Sequence, residues 1–486
     1  MTEIRTRFAP SPTGYMHIGN LRTALYAYLV AKKDPDGVFI LRIEDTDQGR
    51  LVEGATDIIY ETLKQCHLDH DEGPDVGGPV GPYVQSDRMK SGIYMEYAKK
   101  LIALGGAHYC FCDEDKINAQ RELQEARGES FKYDDPCKLY TKEQIEEKLA
   151  SGCSYVIRQN IPLTGTTSFE DEVFGHITVE NATLDESILI KSDGFPTYNF
   201  ANVIDDHMMG ITDVVRGMEY LSSTPKYNLI YQAFNWNIPR YIHCPPVMKD
   251  AQNKLSKRNG DASYQDLIAK GYLTPAVLNY IALCGWSPKG ENELFTLAEM
   301  EQVWSEEGIS KSPAIFDPEK LRFMNGEYIR RLTPEEFYDK ALPWIDQAVH
   351  TACDKRLLAH VLQQRCEVLS DIPAQLPFLD AVQPHGLNLY VSKKMKTTPE
   401  SAKEALTALI PVLDAIPESD WNAEHIHTVC FDLIAKKEVK NGWMLWPMRI
   451  ALTGMQFTPG GGIEIAAILG KAEAMARLRA GLAELG

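Results

Sequence analysis

The apolar and polar positions at the start of the chain follow two periods in succession. Alternation over residues 4–8 predicts a short strand, and apolar residues at helical spacing over 21–29 predict a helix. Between them, Pro10 and Pro12 fix the backbone, whereas Gly14 and Gly19 permit close approach. The pattern therefore predicts a strand that leads through a rigid turn into a helix.

Strands and helices continue to alternate through most of the first two thirds of the chain. An apolar run over 38–43 predicts a buried strand whose carboxyl end carries Glu44, Asp45 and Asp47. Ligands of open α/β sheets lie outside the carboxyl ends of strands, so Glu44 is placed to face a ligand of the first turn, whereas Asp45 and Asp47 equally suit helix caps. Further strands are predicted at 187–191, 213–217 and 241–247, and helices at 53–66, 90–104, 226–235, 264–270 and 275–284.

Two stretches depart from this alternation. Residues 107–185 combine a cysteine pair, a charged helix at 116–127 and later alternating segments, which predicts an insertion. From about residue 325 onward strand signals almost vanish, and helical spacing predicts a helical module. Its helices are predicted at 334–348, 355–369, 399–415, 425–437 and 462–485.

Composition narrows the class of protein. With 486 residues the chain is long enough for several domains, and 44% hydrophobic residues are typical of a soluble globular protein. The first residues lack the apolar core typical of a signal peptide, and no uninterrupted apolar run approaches the roughly 18 residues of a membrane span, so we expect a cytoplasmic protein. Its ten scattered cysteines favour reduced thiols over disulfides. The net charge of -18 argues against general attraction to a polyanion but leaves local basic patches for RNA.

The turn over residues 9–20 has the chemistry of an anion pocket. The N-terminus of the following helix offers unpaired N–H groups and a positive dipole end, and Ser11 and His17 add side-chain donors. The alternative is an ordinary strand–turn–helix in which His17 caps the helix or packs against it.

A second candidate is the basic loop at Lys254-Leu255-Ser256-Lys257-Arg258. Two lysines three residues apart could meet the negative charge that develops during transfer at a phosphate. Taken alone, such a run is more typical of a solvated surface cluster.

Together, and in this order, the two motifs resemble the two signatures of class I aminoacyl-tRNA synthetases of the glutamate and glutamine branch. Pro-Ser-Pro-Thr-Gly followed by His-Ile-Gly-Asn resembles the first signature, and Lys-Leu-Ser-Lys-Arg the second. The tail, with residues 447–454, Pro459 and the turn at 469–470, resembles bacterial glutamyl-tRNA synthetases. The resemblance implies ligation of L-glutamate to the 3' end of glutamate tRNA through a glutamyl-adenylate, with ATP and Mg2+.

The same resemblance implies a fold class and a division into domains. The expected fold is an α/β Rossmann-type catalytic domain with an α+β insertion, followed by an all-α C-terminal anticodon-binding module. The expected segments are 1–106 (first Rossmann half), 107–185 (acceptor-binding insertion), 186–245 (second Rossmann half), 246–324 (stem-contact region with the basic loop) and 325–486 (anticodon-binding module).

The resemblance also assigns the nucleotide site. It implies that His17, Lys254 and Lys257 are catalytic, and that Gly19 leaves room for adenine and ribose. Asn20 departs from the histidine of the most general motif, and no role is assigned to it. The implied ATP-binding residues are Ala9, His17, Gly19, Lys254, Ser256 and Lys257.

A glutamate pocket needs cationic groups for two carboxylates and an anion for the ammonium. The resemblance implies that Glu44 binds the ammonium and that Arg216, Arg7 and Tyr198 bind the side-chain carboxylate. The alternative for Arg216 is a structural ion pair with Asp213 or Glu219. The implied glutamate-binding residues are Arg7, Ser11, Glu44, Tyr198, Asn202 and Arg216.

The insertion contains a candidate metal site. Cys110, Cys112, Tyr133 and Cys137 resemble the zinc ligands of some glutamyl-tRNA synthetases, and three thiolates suit tetrahedral zinc. Leu139 stands where another form of that site has a histidine. The alternative is a group of reduced, buried cysteines.

The expected partners are glutamate tRNA, L-glutamate and ATP, with no membrane, and the family usually acts as a monomer. The sequence leaves open whether glutamine tRNA is also charged, and whether Trp443 and Trp446 stack on anticodon bases or are buried. Two further enzyme classes are compatible with the first motif: a glutaminyl-tRNA synthetase, whose anticodon domains are β-barrels, and a nucleotidyltransferase acting on a small molecule.

Overall fold

The computed structural model describes residues 3–128, 133, 136–253, 255 and 263–486. The chain forms two compact units. The first unit comprises Met1–Asp266 and Val277–Phe316, and the second comprises Leu267–Ala276 and Asp317–Gly486. Over the part of the chain that is described, no helix is both long and apolar enough to cross a membrane.

The strands that the structure describes all lie in the first unit. They are β1 (Arg5–Phe8), β2 (Val38–Leu41), β3 (Ala107–Cys110), β4 (Val156–Gln159), β5 (Thr166–Asp171), β6 (Gly175–Glu180), β7 (Ile188–Ile190), β8 (Asp213–Gly217), β9 (Arg240–Cys244), β10 (Val247–Met248) and β11 (Ala314–Ile315).

The described helices occur in both units. They are α1 (Ile18–Lys32), α2 (Ala55–Gln65), α3 (Gln85–Lys90), α4 (Ile93–Ala103), α5 (Glu114–Ala126), α6 (Lys142–Ala150), α7 (Tyr198–Met208), α8 (Thr224–Ala233), α9 (Tyr264–Ala269), α10 (Thr274–Leu283), α11 (Leu297–Val303), α12 (Pro318–Arg331), α13 (Pro334–Ala348), α14 (Lys355–Gln363), α15 (Pro377–Asp380), α16 (Pro399–Asp414), α17 (Ala423–Lys437), α18 (Asn441–Thr453), α19 (Gly462–Leu469) and α20 (Lys471–Glu484).

The strands of the first unit pair in a mixed arrangement, with both parallel and antiparallel neighbours. β1 pairs with β2 in parallel, and β8 pairs with β9 in parallel. The carbonyl of Arg5 accepts a hydrogen bond from the amide of Thr212, so β1 begins alongside the start of β8. A separate antiparallel sheet has the order β3-β4-β7. The carboxyl ends of β1, β2 and β8 carry the residues from which the candidate site is built.

The hairpin β5–β6 lies in one sheet with β8 and β9, although its residues fall within the predicted insertion. The four-stranded sheet has the order β6-β5-β9-β8, with β5 parallel to β9 and antiparallel to β6. Along β5 every second residue is buried, which is the alternation expected of a strand with one face on the core. Asp171, at the end of β5, therefore reaches the interior of the first unit.

The core of the first unit packs helices against these sheets. Side chains of α4, α7 and α8, among them Leu101, Phe200 and Tyr227, form one buried cluster with β7. A second cluster contains Ile40 of β2, Val214 of β8 and residues of the loops between the elements. The buried clusters hold α7 and the ends of the strands in a fixed arrangement.

The second unit, all of whose residues are described, consists of helices with only an isolated bridge between Ser392 and Thr397. Trp446 belongs to its core and donates a hydrogen bond from Nε1 to the carbonyl of Leu389 at 3.1 Å. The structure therefore favours burial over base stacking for Trp446. Trp443 is only partly buried.

Several predicted elements differ from the observed ones at glycines and prolines. The helix predicted at 462–485 is two helices, because Gly470 adopts φ of 78° between them. The helix predicted at 90–104 begins only after Gly92, at φ of 79°. The strand predicted at 241–247 ends at Cys244, because Pro245 and Pro246 lack the N–H groups that a sheet requires. The helix predicted at 355–369 ends at Gln363.

Candidate active site

His17 occupies the N-cap of α1 and is held through both ring nitrogens. Its Nδ1 accepts a hydrogen bond from the amide of Gly19 at 3.0 Å, and Nε2 lies 3.2 Å from the carbonyl oxygen of Leu255. Because Nδ1 is an acceptor, the proton of the neutral ring is on Nε2, which donates to Leu255. His17 therefore does cap the helix, as one of the two interpretations of the sequence expected, and the cap fixes the imidazole at the N-terminus of α1.

The backbone of the turn packs closely against the ring of His17. A Cβ at Gly19 would come within 3.1 Å of His17 Nδ1, so only glycine fits beside the ring without displacing it. Ser11 is exposed and Ala9 is partly buried, whereas Gly14 has φ of 112°, a backbone conformation that favours glycine. The described part of the turn thus combines exposed donors with a close-packed backbone.

A buried chain of ion pairs links three of the elements that carry site residues. Asp206 of α7 accepts from Arg7 of β1 at 3.0 Å and from Arg42 at 2.7 Å. Arg42 also donates to Glu44 at 2.9 Å. All four side chains are buried. Burial by itself would raise the pKa of Asp206, but Arg7 and Arg42 outweigh it and hold that pKa below its usual value.

Glu44 is engaged through one oxygen only. Both hydrogen bonds from Arg42 go to Oε1, and within the described residues Oε2 has no hydrogen-bond partner. Burial raises the pKa of Glu44 above its usual value, although Arg42 opposes the shift. A carboxylate in this state gains from a cation at Oε2, and the ammonium of an amino acid is such a cation.

Arg216 of β8 is buried and fixed at two of its three nitrogens. Its Nε donates to His243 at 3.1 Å and its Nη2 donates to Thr224 at 2.8 Å. Among the described residues, Nη1 has no hydrogen-bond partner. Asp213 pairs instead with Arg240 at 3.0 Å, and Glu219 is not a hydrogen-bond partner of Arg216, so the structural ion pair considered from the sequence is not formed.

Aromatic rings surround this guanidinium. Its central carbon lies 5.3 Å from the ring centre of Tyr220, 4.9 Å from that of Tyr227 and 5.3 Å from that of Tyr241. Such contacts stabilise a cation while offering no anion to neutralise it. A ligand carboxylate would supply the missing charge.

Tyr198 and Asn202 lie one turn apart on α7. Burial raises the pKa of Tyr198 well above its usual value, and the nearby charge of Glu44 raises it further, whereas Arg216 lowers it. The phenol therefore stays protonated and can donate to a carboxylate. Among the residues that the structure describes, none accepts a hydrogen bond of normal geometry from the amide nitrogen of Asn202, which is buried.

The structure brings most of the predicted amino-acid residues together. Tyr198 lies within electrostatic range of both Glu44 and Arg216, and the ion-pair chain connects Arg7 to Glu44. Arg7, however, is already paired with Asp206, so its charge is shared between that carboxylate and any ligand. Lys254, Ser256 and Lys257 lie outside the described residues.

The predicted metal ligands form a compact group. The ligand atoms of Cys110, Cys112 and Cys137 all lie within 4.8 Å of one another, and the sulfurs of Cys112 and Cys137 are 3.7 Å apart. The hydroxyl of Tyr133 is 3.3 Å from the sulfur of Cys110. In a tetrahedral zinc site the Zn–S distance of about 2.3 Å places sulfurs about 3.8 Å apart. These residues therefore fit a zinc ion.

Sequence reasoning missed the residues that hold the site in place. Arg42, Asp206, Thr224 and His243 are all buried, and each contacts a predicted site residue or its partner. The available signal was a charged or polar residue inside an apolar run, as at Arg42 in the run 38–43 and His243 between Ile242 and Cys244. Such a residue needs a hydrogen-bond or ion-pair partner when it is buried, but the sequence does not predict which residue that partner is.

Comparisons with known proteins cover nearly the whole chain. Residues 3–323 match the model of the class I tRNA synthetase catalytic domain for E and Q, and residues 336–482 match an anticodon-binding domain. A glutamate–tRNA ligase of Clostridium botulinum (strain Eklund 17B) is 58% identical over 480 residues, which is 99% of this chain and 98% of that protein. One of Clostridium tetani is 57% identical, with 99% and 98% covered.

A solved structure of a glutamate tRNA ligase also matches the whole chain. The crystal structure of a glutamate tRNA ligase from Elizabethkingia meningosepticum, in complex with its amino acid, superposes with a TM-score of 0.88. Its sequence is 31% identical, and the match covers 100% of both chains.

Proposed function

Since the chain belongs to the class I tRNA synthetases of the glutamate and glutamine branch and ligates glutamate to tRNA, we propose how its residues divide that reaction. The glutamate–tRNA ligases it matches are similar over their full length, so a nucleotidyltransferase acting on a small molecule is not favoured. Glutamate is bound between the ends of β2 and β8 and the start of α7, and ATP is bound at the N-terminus of α1.

Glu44, Arg216 and Tyr198 select the amino acid. Oε2 of Glu44, unpartnered within the described residues, accepts from the ammonium group, while Nη1 of Arg216 and the hydroxyl of Tyr198 donate to the side-chain carboxylate. Arg7, Ser11 and Asn202 complete the pocket. Because an arginine offers only donors, the amide NH2 of glutamine finds no acceptor there, which favours glutamate.

In the first step the α-carboxylate of glutamate attacks the α-phosphorus of ATP. The bond to the β-phosphate bridging oxygen breaks, pyrophosphate leaves, and glutamyl-adenylate forms. His17 and the basic residues Lys254 and Lys257 stabilise the added negative charge, while Ala9, Gly19 and Ser256 contact the nucleotide. Magnesium, as the counterion of ATP, would neutralise the phosphates.

In the second step a ribose hydroxyl of the terminal tRNA adenosine attacks the activated carbonyl and AMP leaves. We propose that 107–185 binds the acceptor end, 246–324 the stem and 325–486 the anticodon, with 1–106 and 186–245 as the two halves of the catalytic domain. The family matches at 3–323 and 336–482 support this order. A zinc ion bound by Cys110, Cys112, Tyr133 and Cys137 would brace the acceptor-binding segment.

The observation that carries the pocket assignment is the buried Arg216 with Nη1 unpartnered among the described residues. Replacing it with Ala is expected to raise the KM for glutamate at least a hundredfold in aminoacylation, because the substrate carboxylate loses its cation. Arg240→Ala is the matched control: Arg240 lies on the adjacent strand but is half-exposed and paired with Glu172 and Asp213. A near-normal KM in Arg216→Ala would overturn the assignment.

Further points of the proposal concern tRNA and assembly. We propose glutamate tRNA as the acceptor, a monomeric enzyme and a cytoplasmic location, where protein synthesis consumes its product. Aminoacylation of purified glutamate and glutamine tRNAs tests the first point, since charging of glutamine tRNA would identify a non-discriminating enzyme. We also expect pyrophosphate exchange only after tRNA is added, and exchange without tRNA would contradict this.

A further inference from the structure

Three neighbouring strands of the first unit place Asp171, His243 and Arg216 in one hydrogen-bonded row. The strands β5, β9 and β8 are adjacent in the sheet, and Arg216 lies opposite His243 in the β8–β9 register. Asp171 Oδ2 is 2.6 Å from His243 Nδ1, and His243 Nε2 is 3.1 Å from Arg216 Nε. Both Asp171 and His243 have fully buried side chains.

The proton positions in this row follow from the donor at one end, Arg216, and the acceptor at the other, Asp171. The Nε of Arg216 is always a donor, so Nε2 of His243 must be the acceptor. Nδ1 therefore carries the proton and donates to Asp171. Burial lowers the pKa of His243, while Asp171 opposes that shift and Arg216 adds to it, so the ring is held neutral by its surroundings as well as by its hydrogen bonds.

Asp171 is itself held in one orientation. Its Oδ1 accepts from the amides of Val173 and Phe174 at 3.0 and 2.8 Å, and its Oδ2 accepts from Nδ1 of His243 at 2.6 Å and from the His243 backbone amide at 3.3 Å. The carboxylate is thus an acceptor on both sides. An amide at this position would keep its oxygen on the amides of Val173 and Phe174 and turn its NH2 toward His243, which gives up only the longer bond from the His243 backbone amide.

We propose that Asp171 and His243 are positioning residues for Arg216, setting the orientation of its guanidinium and with it the preference for a carboxylate over an amide side chain. This inference rests on the proposed role of Arg216 in binding glutamate. His243 and Thr224 hold Nε and Nη2, so that Nη1 is the nitrogen left for the substrate. The hairpin β5–β6, although it lies within the predicted insertion, thereby contributes to amino-acid selection.

Two substitutions of His243 separate positioning from packing. In His243→Gln the amide oxygen can replace Nε2 as the acceptor for Arg216, whereas in His243→Asn the shorter amide can keep the bond to Asp171 but not the one to Arg216. We expect His243→Asn to raise the KM for glutamate roughly tenfold or more, with the KM for ATP unchanged. His243→Gln should stay within about threefold of the wild type.

Asp171→Asn tests the other end of the row. Its NH2 would force Nδ1 of His243 to become the acceptor, so that Nε2–H would face the Nε–H of Arg216 and displace the guanidinium. We expect a higher KM for glutamate and a smaller kcat/KM ratio of glutamate to glutamine, with kcat for glutamate at saturation much less affected.

The outcomes are read from aminoacylation kinetics of the full chain, with thermal unfolding to confirm that each variant is folded. Equal kinetics of His243→Asn and His243→Gln, or wild-type kinetics of Asp171→Asn, would overturn the inference. Arg216→Ala in the same series distinguishes the two proposals. If it leaves glutamate binding intact, the role of Arg216 itself fails; if it abolishes binding while the other variants behave as wild type, only the positioning role fails.

Discussion

The guanidinium of Arg42 lies 2.7 Å from the carboxylate of Asp206, and the Arg42 side chain has no exposed surface. The two residues are 164 positions apart in the sequence. Asp206 of α7 also binds Arg7 of β1, and Arg42, which follows β2, also binds Glu44. The Arg42–Asp206 contact therefore links α7, β1 and the residues after β2. The proposed amino-acid pocket depends on this contact, since Glu44 and Tyr198 belong to two of the joined segments.

Replacing Asp206 with Asn is expected to destabilise the first unit. The change leaves the buried guanidinium of Arg7 without its carboxylate and that of Arg42 with Glu44 and, at 4.0 Å, Asp205. Removing one partner of a buried ion pair costs about 3–5 kcal/mol. The free energy of unfolding from denaturant titration measures this loss. Asp193→Asn is the control, because its pair with Lys191 is exposed and worth about 0–1 kcal/mol.

The stabilisation from Asp206 should depend on pH in a defined direction. Burial opposes ionisation, but Arg7 and Arg42 hold the folded-state pKa of Asp206 below its unfolded value of about 3.9. Its contribution is therefore complete above about pH 4 and is lost as the pH falls through the folded-state pKa. The difference in unfolding free energy between wild type and Asp206→Asn should stay constant from neutral pH down to about pH 5 and shrink below about pH 4. A difference that grows on acidification would contradict the ion-pair explanation.

Local elements were predictable from the sequence where local chemistry determines them. The helix α13 has the predicted bounds, because Thr333 caps it, Pro334 occupies its first turn and its apolar residues keep helical spacing. The strand β8 also has its predicted bounds. Residues recognised through motifs, such as His17 and Arg216, likewise fall where an anion or a carboxylate could be bound.

Tertiary partners were not predictable. The sequence indicates that His243 is buried, but its position between Asp171 and Arg216 depends on the pairing of β5 with β9, two strands about 70 residues apart in the sequence. The alternation within β5 predicts which face of the strand is buried, but it does not predict which strand lies beside it in the sheet. A buried polar residue can thus be recognised from a single sequence, whereas its hydrogen-bond partner depends on the tertiary structure.

The cysteine group is expected to hold about one zinc ion per chain when the protein is purified without added metal or chelator. Cys137→Ser should reduce the zinc content well below one, because it removes one of three clustered sulfur ligands. Cys153→Ser is the matched control, since Cys153 is exposed and hydrogen bonds to Ser151 outside the group. Elemental analysis measures both variants, and wild-type protein free of zinc would show that the group is only a set of reduced cysteines.

Gly19→Ala should weaken catalysis without weakening the fold. The added Cβ would lie 3.1 Å from Nδ1 of His17 and 3.5 Å from Cε1, so the ring must shift by a few tenths of an ångström and its bond to the Gly19 amide must loosen. Alanine favours the helix by up to about 1 kcal/mol, so the melting temperature should hold or rise. We expect a fall of about tenfold in kcat/KM for ATP, because His17 would no longer lie where charge develops at the α-phosphate. Gly49→Ala, whose Cβ would meet only Asp47 at 3.7 Å, should leave kcat/KM unchanged, and equal effects of the two substitutions would contradict the role of His17.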